Sequence, residues 1–463
     1  MTNLSGVNLN NGSAAGAKRE GMDSPSHSLA LMPRYEAYKY SGENWIGDIP
    51  EEWLLRRFKF LITEINARSQ SGEENLLSVS QYTGVTNKSD KLGEGDLITN
   101  AESLEGYKKV RKGDLVSNIM LAWNGSLGVS PFDGITSPAY AVYRFGDECL
   151  ESFYHYLLRT ELYKSEFKRR STGVIESRLR LYTDDFFDVV GILPSLKEQL
   201  LIANYLEEKT AQVDDAIAIK EQQISLLKER KQIIIQQAVT QGLDPNVPMK
   251  DSGVDWIGKI PAHWEVKRLK YVLEERNERS KTGEEPLFMV SQIHGLVVRA
   301  DYHDKAEVAA SNIDNKVVYK NDLVFNKLKA HLGVFFKSNI EFKGLVSPDY
   351  AVYKCKEHIS DAKYLEILFR HPSYIQQFII RATGVVEGLI RLYTGDLFDI
   401  PVPVAPSGEQ AEILAYTKSQ SSAYEKAIEI QQSQIEKLKE YKTTLINSAV
   451  TGKIKITPEM VEQ

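Results

Sequence analysis

The sequence predicts an α+β protein in which two tandem α+β domains are each followed by a long helix. The two helices are expected to pair as an antiparallel coiled coil with pseudo-twofold symmetry. Three observations support this fold class: the chain repeats itself with a shift of 211 residues, each copy begins with short strand-like segments, and each copy ends in a narrow heptad pattern. A repeat this long far exceeds the roughly 20 to 50 residues of a solenoid unit, so it indicates two whole domains.

The duplication is visible in short motifs that recur in the same order. The first is Trp-Ile-Gly-x-Ile-Pro-x-x-Trp, which begins at Trp45 and again at Trp256. We expect its tryptophans to pack on a hydrophobic core rather than to bind a ligand. The other matched pairs are Val79-Ser80-Gln81 with Val290-Ser291-Gln292, Thr172-Gly173-Val174 with Thr383-Gly384-Val385, Arg180-Leu181-Tyr182-Thr183 with Arg391-Leu392-Tyr393-Thr394, and Ala238-Val239-Thr240 with Ala449-Val450-Thr451.

Each copy contains short apolar segments bounded by Gly, Asn, Asp and Pro, which is typical of strands. A segment with helical i, i+3, i+4 spacing follows, and a closing strand comes after it. The predicted strands are Leu76 to Val79, Asp114 to Val116, Tyr140 to Phe145, Leu287 to Val290, Asp322 to Phe325 and Tyr350 to Tyr353, with closing strands at Phe186 to Leu193 and Leu397 to Val404. The helical segments contain Phe153, Leu157 and Leu158 in the first copy and Tyr364, Leu365, Leu368 and Phe369 in the second.

After each α+β domain the apolar residues step by four and three, which is the heptad pattern of a coiled coil. Both copies place polar residues at the same two seam positions, Lys220 with Gln431 and Lys231 with Lys442. Polar seam residues fix register and partner, so the coincidence predicts that the helices pair with each other; the alternative is that each helix only caps its own domain. The predicted seam residues are Val213, Ile217, Lys220, Ile224, Leu227, Lys231, Ile234 and Ala238 in the first helix and Tyr424, Ile428, Gln431, Ile435, Leu438, Lys442, Leu445 and Ala449 in the second.

The length of the heptad segment predicts a spacer. From Val213 to Ala238 the rise is roughly 39 Å at about 1.5 Å per residue. Half-sites read by twofold DNA-binding proteins lie about 34 to 36 Å apart, one turn of B-DNA. The predicted boundaries are a disordered leader or tag at 1–39, the first α+β domain at 40–196, a central helical region at 197–245, the second α+β domain at 246–406, a C-terminal helical region at 407–452 and a tail at 453–463.

Composition is ordinary for a globular protein, with 42% hydrophobic and 26% charged residues. The chain lacks a long apolar run and a secretory signal, so we expect it in the cytoplasm and away from membranes. Its two cysteines, Cys149 and Cys355, fit neither a disulfide framework nor a zinc site, and no metal site is predicted. The net charge of −6 requires any nucleic-acid site to be a local patch.

Two motifs invite an enzymatic interpretation. Ser137-Pro138-Ala139-Tyr140 and Ser347-Pro348-Asp349-Tyr350 are similar to the loop that holds a flipped base in amino-methyltransferases, but they lack its second proline and a preceding glycine-rich turn. Asp349, Asp361 and Lys363 loosely fit a nuclease pattern, although the first copy has Ala139 in place of the first carboxylate. We interpret the Ser-Pro motifs as turns and Asp361 as a helix cap, and we predict no catalytic residues.

The copies diverge at 86–135 and 297–345, where two modules that recognise different sequences would need to differ. The shift falls to 208 at Gly113 to Val116, then to 205 where Leu127-Gly128-Val129 matches Leu332-Gly333-Val334, and recovers to 210 at the Ser-Pro turns. Lys and Arg can neutralise phosphates, and Asn, Gln, Lys and Arg can read base edges. The predicted DNA contacts are Gln81, Lys108, Lys109, Arg111, Lys112, Asn118, Trp123, Asn124, Arg178 and Arg180 in the first copy and Gln292, His294, Asn326, Lys327, Lys329, His331 and Arg391 in the second.

The order of these motifs, repeated twice, resembles the specificity subunit of type I restriction-modification enzymes. The resemblance covers about residues 40 to 452 and includes the Glu-Gln pairs that open each helical region, Glu198-Gln199 and Glu409-Gln410. It implies two target recognition domains, each of which reads one half of a bipartite double-stranded DNA target. It also implies helices that bind two methyltransferase subunits and set the spacing between half-sites. Catalysis would belong to the methyltransferase subunits and to restriction subunits, which use S-adenosylmethionine, ATP and magnesium, so no cofactor is expected in this chain.

Two other functions remain open from the residues alone. One is a self-contained DNA methyltransferase or nuclease that acts through the Ser-Pro-x-Tyr turns. The other is a coiled-coil adaptor without DNA specificity. Purified chain would separate the enzyme from the recognition subunit, because only the enzyme transfers methyl groups or cuts DNA without partners.

Overall fold

The structure is a computed structural model, and it describes residues 31–89, 103–175, 178–291, 294–302, 312–328, 333–384 and 391–461. The chain divides into two compact units. Unit 1 takes in the described residues up to Lys220 and those from Gln432 onward, and unit 2 extends from Glu221 to Gln431. Each unit therefore contains one α+β domain together with a part of each long helix.

Unit 1 is built around an antiparallel four-stranded sheet with the order β4-β11-β8-β9, accompanied by the two-stranded pairs β1-β2, β3-β12, β5-β6 and β7-β10. The strands are β1 (Tyr38–Tyr40), β2 (Asp48–Pro50), β3 (Leu54–Arg57), β4 (Ile62–Glu64), β5 (Leu77–Ser80), β6 (Gly84–Asn87), β7 (Lys108–Val110), β8 (Leu115–Asn118), β9 (Leu127–Val129), β10 (Gly134–Thr136), β11 (Tyr140–Phe145) and β12 (Val190–Leu193). The helices are α1 (Glu151–Leu157), α2 (Glu161–Arg170), α3 (Thr183–Phe187) and the first part of α4 (Leu196–Gln241).

The central sheet of unit 1 is covered on both faces. Three consecutive residues of β11, Ala141, Val142 and Tyr143, are buried, because side chains alternate across a strand and both sides are occupied. Ala141 and Tyr143 join the main core with the helices, whereas Val142 joins a smaller core with residues of the β5-β6 hairpin, β7 and β8. The domain therefore has three layers, with the β5-β6 hairpin and β7 on the face opposite the helices.

Unit 2 repeats this topology, with a central sheet of order β16-β23-β20-β21 and the pairs β13-β14, β15-β24, β17-β18 and β19-β22. The strands are β13 (Met249–Asp251), β14 (Lys259–Pro261), β15 (Glu265–Arg268), β16 (Leu273–Glu275), β17 (Phe288–Ser291), β18 (Gly295–Val298), β19 (Lys316–Val318), β20 (Leu323–Asn326), β21 (Phe335–Lys337), β22 (Gly344–Val346), β23 (Tyr350–Cys355) and β24 (Pro401–Val404). The helices are α5 (Leu269–Val272), α6 (Ala362–Leu368), α7 (Pro372–Arg381), α8 (Thr394–Phe398) and α9 (Ser407–Val450), of which the last continues into unit 1. The predicted α+β class is confirmed.

Strand register corrects the alignment of the two copies. Leu115 pairs with Val129 in unit 1, and the matching Leu323 pairs with Lys337 in unit 2. β9 therefore corresponds to β21, and the shift stays at 208 rather than falling to 205. The predicted match of Leu127-Gly128-Val129 with a Leu-Gly-Val segment five residues before Lys337 is wrong, because pairing in the sheet rather than letter identity fixes the register.

The closing strands are shorter than predicted. In each copy the first two residues of the predicted strand belong to the end of a short helix, α3 or α8, and only Val190–Leu193 and Pro401–Val404 are extended. Asp184 and Asp185 lie in the first turn of α3, where carboxylates interact favourably with the helix dipole. Pro403 lies inside β24 rather than ending it, because this strand has a neighbour on one side only and a residue without an N–H is tolerated there.

The long helices have defined ends. α4 contains 46 residues and α9 contains 44. Ser195 caps the start of α4, because its hydroxyl accepts the Glu198 N–H and also donates to the Glu198 carboxylate. Both helices are followed by a glycine with positive φ, Gly242 at 77° and Gly452 at 74°, as expected where a left-handed residue ends a helix. No helix in the described ranges is long and apolar enough to cross a membrane.

The long helices pair antiparallel within each unit, as the fold class predicted. In unit 1 Lys442 Nζ lies 2.6 Å from Asp214 Oδ2, and Lys220 donates to the side chain of Gln434. Partner numbers thus fall along α9 as numbers rise along α4, which defines the direction. The pseudo-twofold relation between the copies stays a prediction.

The predicted leader at 1–39 is wrong in its last part. β1 pairs with β2, and the matching β13 shows that this segment does have a counterpart in the second copy. Tyr35 contacts Trp53 with ring centroids 5.6 Å apart, and Lys455 donates its backbone N–H to Pro33. The segment escaped prediction because its aromatic residues have no strand or helix periodicity. Residues 1–30 lie outside the described part of the chain.

Candidate nucleic-acid interface

Several loops of unit 1 meet at one end of the central sheet. Asn118, the last residue of β8, pairs with Tyr140, the first residue of β11, so the turn after β8 lies beside the Ser-Pro turn. Leu181 donates its backbone N–H to Ile119 over 2.9 Å, which brings the 171–181 loop to the same place. This end of the sheet, called the loop end below, has a counterpart in unit 2, where Asn326 pairs with Tyr350.

Arg159 fixes the tip of the β5-β6 hairpin at the loop end. Its guanidinium donates to the backbone oxygens of Gln81 (3.0 Å), Tyr82 (2.9 Å) and Leu127 (3.1 Å). Three charge-assisted hydrogen bonds from one half-buried side chain hold the tip against β9. The side chain of Tyr82 is 82% exposed at this tip, so Arg159 orients an aromatic residue toward solvent.

His155 supports Arg159 from one turn earlier in the chain. Its Nδ1 accepts the backbone N–H of Val129 over 3.2 Å. Burial, with a smaller contribution from the charge of Arg159, lowers the pKa of His155 to about 4, so the ring is neutral at pH 7. Motif comparison missed both residues; their helical spacing next to a strand was the available signal.

Unit 2 uses different chemistry at the same positions. Glu366 replaces His155, accepts the backbone N–H of Lys337 over 2.9 Å and pairs with Lys363 and Arg370. The guanidinium of Arg370, which matches Arg159, lies 5.2 Å from the ring centroid of Phe336. The frame of the loop end is thus retained while its polar contacts change.

The 171–181 loop, called the Thr-Gly loop below, contains Thr172 and Gly173 and lies at the loop end. Thr172 and Arg180 are paired through their backbones, and a Cβ at Gly173 would lie 2.5 Å from the Arg178 carbonyl oxygen, so only glycine fits. Arg178 is exposed and Arg180 is half-buried, and Val174 at the tip is 97% exposed. In unit 2, Thr383 pairs with Arg391 in the same way.

Other predicted contacts lie at the loop end but have internal partners. Asn118 is 5% exposed, and its side chain bonds Tyr140 and the N–H of Met120. Trp123 donates Nε1–H to the Met120 oxygen, and the side chain of Asn124 caps Ser126. These three side chains therefore shape the turn after β8. Gln81 is exposed at the hairpin tip.

Lys108 does not fit the predicted role of a surface phosphate contact. It is 6% exposed, and its Nζ lies 3.4 Å from Glu64 Oε1. Lys316 and Glu275 repeat the pair at 3.4 Å, and burial lowers the pKa of Lys316. Lys108 and Val110 are buried, whereas Lys109 between them on β7 is exposed. Strand alternation thus turns Lys108 toward the interior of the domain, and the basic run in the sequence does not predict its exposure.

The remaining basic residues of the same run lie elsewhere. Arg111 and Lys112 are exposed in the turn that enters β8, so the length of that strand separates them from Asn118. Lys109 lies on β7 and pairs with Glu74 at 3.2 Å. The structure therefore does not gather the predicted contacts of unit 1 into a single surface.

In unit 2 the predicted contacts have different surroundings. His294 is exposed, with its ring 4.9 Å from that of Tyr302. The Asn326 side chain accepts the N–H of Leu328, and Lys327 Nζ lies 3.9 Å from Glu275. Arg391 is half-buried. Gln292, Lys329 and His331 lie outside the described residues.

The motifs with an enzymatic resemblance are structural. Tyr140 and Tyr350 donate their backbone N–H groups to Ser137 and Ser347, which closes a turn before each central strand. Asp361 caps α6 by accepting the Lys363 N–H over 2.7 Å. Among the residues that the structure describes, no group of three or more His, Cys, Asp or Glu side chains is placed to hold a metal ion.

The predicted seam residues all face inward on the long helices. The buried seam residues are Val213, Ile224, Ala238, Ile435, Leu445 and Ala449, and the other seam residues are half-buried. The lysine at the second polar position of each seam has an acidic partner on the other helix: Lys231 with Glu425, and Lys442 with Asp214. The half-buried seam members are Ile217, Lys220, Leu227, Lys231, Ile234, Tyr424, Ile428, Gln431, Leu438 and Lys442.

Comparison with known proteins agrees with the resemblance seen in the sequence. The chain is 23% identical over 411 residues to the EcoKI type I restriction enzyme specificity subunit of Escherichia coli K12, with 83% of this chain and 85% of that protein covered. It is 22% identical over 438 residues to the MjaVIII specificity subunit of Methanocaldococcus jannaschii, covering 88% of this chain and 94% of that one. No family model matches the chain.

Solved structures support the fold. A structure of a type I R-M system, concerned with complex assembly and conformational transition, aligns with a TM-score of 0.61 at 16% identity, covering 87% of this chain and 98% of that one. The HsdS subunit from Thermoanaerobacter tengcongensis aligns with a TM-score of 0.52 at 16% identity, covering 88% and 98%. The chain therefore resembles type I specificity subunits in sequence and in fold.

Proposed function

We propose that this chain is the DNA sequence-recognition subunit of a type I restriction-modification complex, in which each α+β domain reads one half of a bipartite target. The observation that carries the proposal is that the loop ends of the two units share a backbone arrangement but differ in their polar side chains. His155 and Arg159 stand in unit 1 where Glu366 and Arg370 stand in unit 2. Two recognition domains for unlike half-sites need this combination.

The chemistry of the loop end supports DNA as the ligand. Arg178 and Arg180 of the Thr-Gly loop can contact phosphates, and Gln81 and Tyr82 at the hairpin tip can contact base edges or sugars. The chain has a net charge of −6, so such contacts have to be concentrated at local surfaces. The exposed members of the predicted set remain candidates for mutagenesis.

The paired helices have a separate role in this proposal. They bind two methyltransferase subunits and set the distance between the half-sites. Methyl transfer and cleavage belong to the methyltransferase and restriction subunits, together with S-adenosylmethionine, ATP and magnesium. The chain itself is then a non-catalytic scaffold.

The test is to co-express the chain with a type I methyltransferase subunit and to map modified bases across a genome. A split motif with a fixed gap is the expected result. Methyl transfer or cutting by the purified chain alone would instead identify an enzyme. Unspecific or absent modification, together with DNA affinity that does not depend on sequence in the presence of methyltransferase, would identify an adaptor.

A further inference from the structure

Unit 2 contains a cleft of about 460 Å³ on the hairpin side of the domain. Its walls come from β17, the helical turn at Arg299–Asp301, the 312–315 segment and the Ser-Pro turn. Three of the lining side chains are long or amide-bearing and polar: Arg299, Asn312 and Asn315. None of the three stands out in the sequence, because they are scattered between strands rather than grouped in a motif.

The backbones of these three residues are anchored while their side chains are available. Arg299 donates its N–H to Leu287 over 2.8 Å, Asn315 donates to Asn312 over 3.2 Å, and Ser280 donates to Asn315 over 2.9 Å. All three side chains are half-buried, and none hydrogen-bonds another residue in the part of the chain that the structure describes. A fixed backbone with unpaired polar groups lowers the entropic cost of binding.

The cleft also has an apolar wall suited to a planar ligand. Phe288 is 5% exposed, and Tyr350, which also lines the cleft, is half-buried, so that burial raises its pKa. The aromatic side chains can pack against the face of a DNA base, and the guanidinium and the two amides can hydrogen-bond to its edge. Arginine forms paired hydrogen bonds with guanine, and asparagine does so with adenine.

The same positions in unit 1 contain different side chains. Lys88 donates its N–H to Leu76 over 2.9 Å, Tyr107 to Leu104 over 3.2 Å, and Ser69 to Tyr107 over 2.8 Å. These three backbone contacts match those of Arg299, Asn315 and Ser280, so the frame is common. Only the side chains change, from Lys, Leu and Tyr in unit 1 to Arg, Asn and Asn in unit 2.

We propose that Arg299, Asn312 and Asn315 determine the half-site sequence that unit 2 recognises, with Arg299 reading a guanine and the two amides reading adenine. This inference rests on the proposed function and assigns its specificity to one cleft. The two units share this backbone arrangement and differ in the side chains that would contact the bases, which explains how one fold recognises two different half-sites.

The test uses the full chain in complex with methyltransferase, and it compares the modified motif of the unaltered protein with those of Arg299→Ala, Arg299→Lys, Asn312→Ala and Asn315→Ala. Each alanine variant is expected to lose roughly 5- to 150-fold discrimination at one base of one half-site. The other half-site and the gap stay unchanged, and they report that the variant folds and assembles. Arg268→Ala is the control, since this exposed arginine lies on β15 outside the cleft.

Arg299→Lys separates base reading from phosphate binding, because lysine keeps the charge but lacks the two-pronged guanidinium. Loss of discrimination in both the Lys and Ala variants supports the inference. An unchanged motif in the alanine variants, or full retention in Arg299→Lys, overturns it while leaving the proposed function intact. If the unaltered protein directs no split motif, the proposed function fails, and this inference fails with it.

Discussion

Lys442 Nζ lies 2.6 Å from Asp214, and the equivalent residues one copy apart repeat this contact, with Lys231 Nζ 2.7 Å from Glu425. In each pair a lysine of one copy meets an acid of the other. Such reciprocal contacts are expected when two equivalent helices run antiparallel. The polar seam positions noted in the sequence thus have a specific partner in the structure.

Reversal of one charge in this pair should weaken the helix pairing. Asp214→Lys places two lysines together, and we expect a loss of about 1 kcal/mol or less, because both side chains are partly exposed. Adding Lys442→Asp should restore stability, measured as a double-mutant cycle in urea unfolding. Charge reversal of Glu436, which pairs with Lys439 within one helix, is the control. Strict additivity of the two changes would contradict the pairing.

Lys108 should contribute to stability rather than to surface charge. Lys108→Ala leaves Glu64 without its partner in a largely buried site, and we expect the free energy of unfolding to fall by about 2 kcal/mol. Lys112→Ala, at an exposed position of the same basic run, should change it by less than about 0.5 kcal/mol. Equal effects in chemical denaturation would show that Lys108 is not a structural residue.

His155 should make stability fall in mildly acidic solution. Its pKa is about 4 in the folded protein and about 6.5 when unfolded, so between these values the unfolded chain binds a proton that the folded chain does not. Stability is therefore complete above pH 6.5 and decreases as pH falls toward 4. From pH 7 to 5 the loss from this group is on the order of 2 kcal/mol.

The contribution of His155 can be isolated with His155→Gln, since glutamine can still accept the Val129 N–H but does not titrate. The difference in unfolding free energy between pH 7 and pH 5 should be smaller in this variant, while other titrating groups cancel in the comparison. Identical pH dependence in the two proteins would show that His155 is protonated equally in both states.

Arg159 should act as a positioning residue for the β5-β6 hairpin. Arg159→Ala removes three hydrogen bonds to backbone oxygens, and we expect amide exchange at Gln81 to Thr83 to accelerate, as local opening becomes easier by roughly 2 to 4 kcal/mol. Under the proposed function, the unit 1 half-site should lose discrimination. Arg370→Ala is the matched control, because Arg370 packs against Phe336 and pairs with Glu366. Its substitution should leave exchange at Gln81 to Thr83 unchanged.

The helix pair should set the gap in the DNA target if it is a spacer. Seven residues inserted between Gln223 and Ile224 and between Gln431 and Gln432 keep the seam in phase and add about 10.5 Å to each helix. The gap in the modified motif should then grow by roughly 3 bp, at about 3.4 Å per base pair. Four-residue insertions at the same places disrupt the seam and should abolish modification. An unchanged gap after the seven-residue insertion would refute the spacer role.

Sequence comparison was most successful where side-chain patterns repeat. The central strand at Tyr140 to Phe145 has the predicted bounds, because turn residues limit it on both sides. The long helices and their seam followed from heptad spacing. By contrast, the predicted closing strands begin too early and include the last two residues of α3 and α8, because a short apolar segment has no periodicity that distinguishes helix from strand.

The candidate site was less accessible to sequence reasoning. Lys108 belongs to a basic run in the sequence but faces inward, because strand alternation decides its direction. Arg159 does not stand out in the sequence, because its importance comes from three carbonyl oxygens brought together by separate elements. Residue type predicts what a side chain can bind, whereas its neighbours decide whether it is available.

The sequence by itself determined the duplication, the α+β class, the paired heptad helices and the resemblance to type I specificity subunits. These features depend on order and periodicity along the chain, which are local properties. Only the tertiary structure decided the register of β9 and β21, the burial of Lys108, the anchoring of the hairpin by Arg159 and the cleft around Arg299. Each of these depends on contacts between residues far apart in sequence. Such contacts form only when the chain folds, so local sequence patterns do not show them.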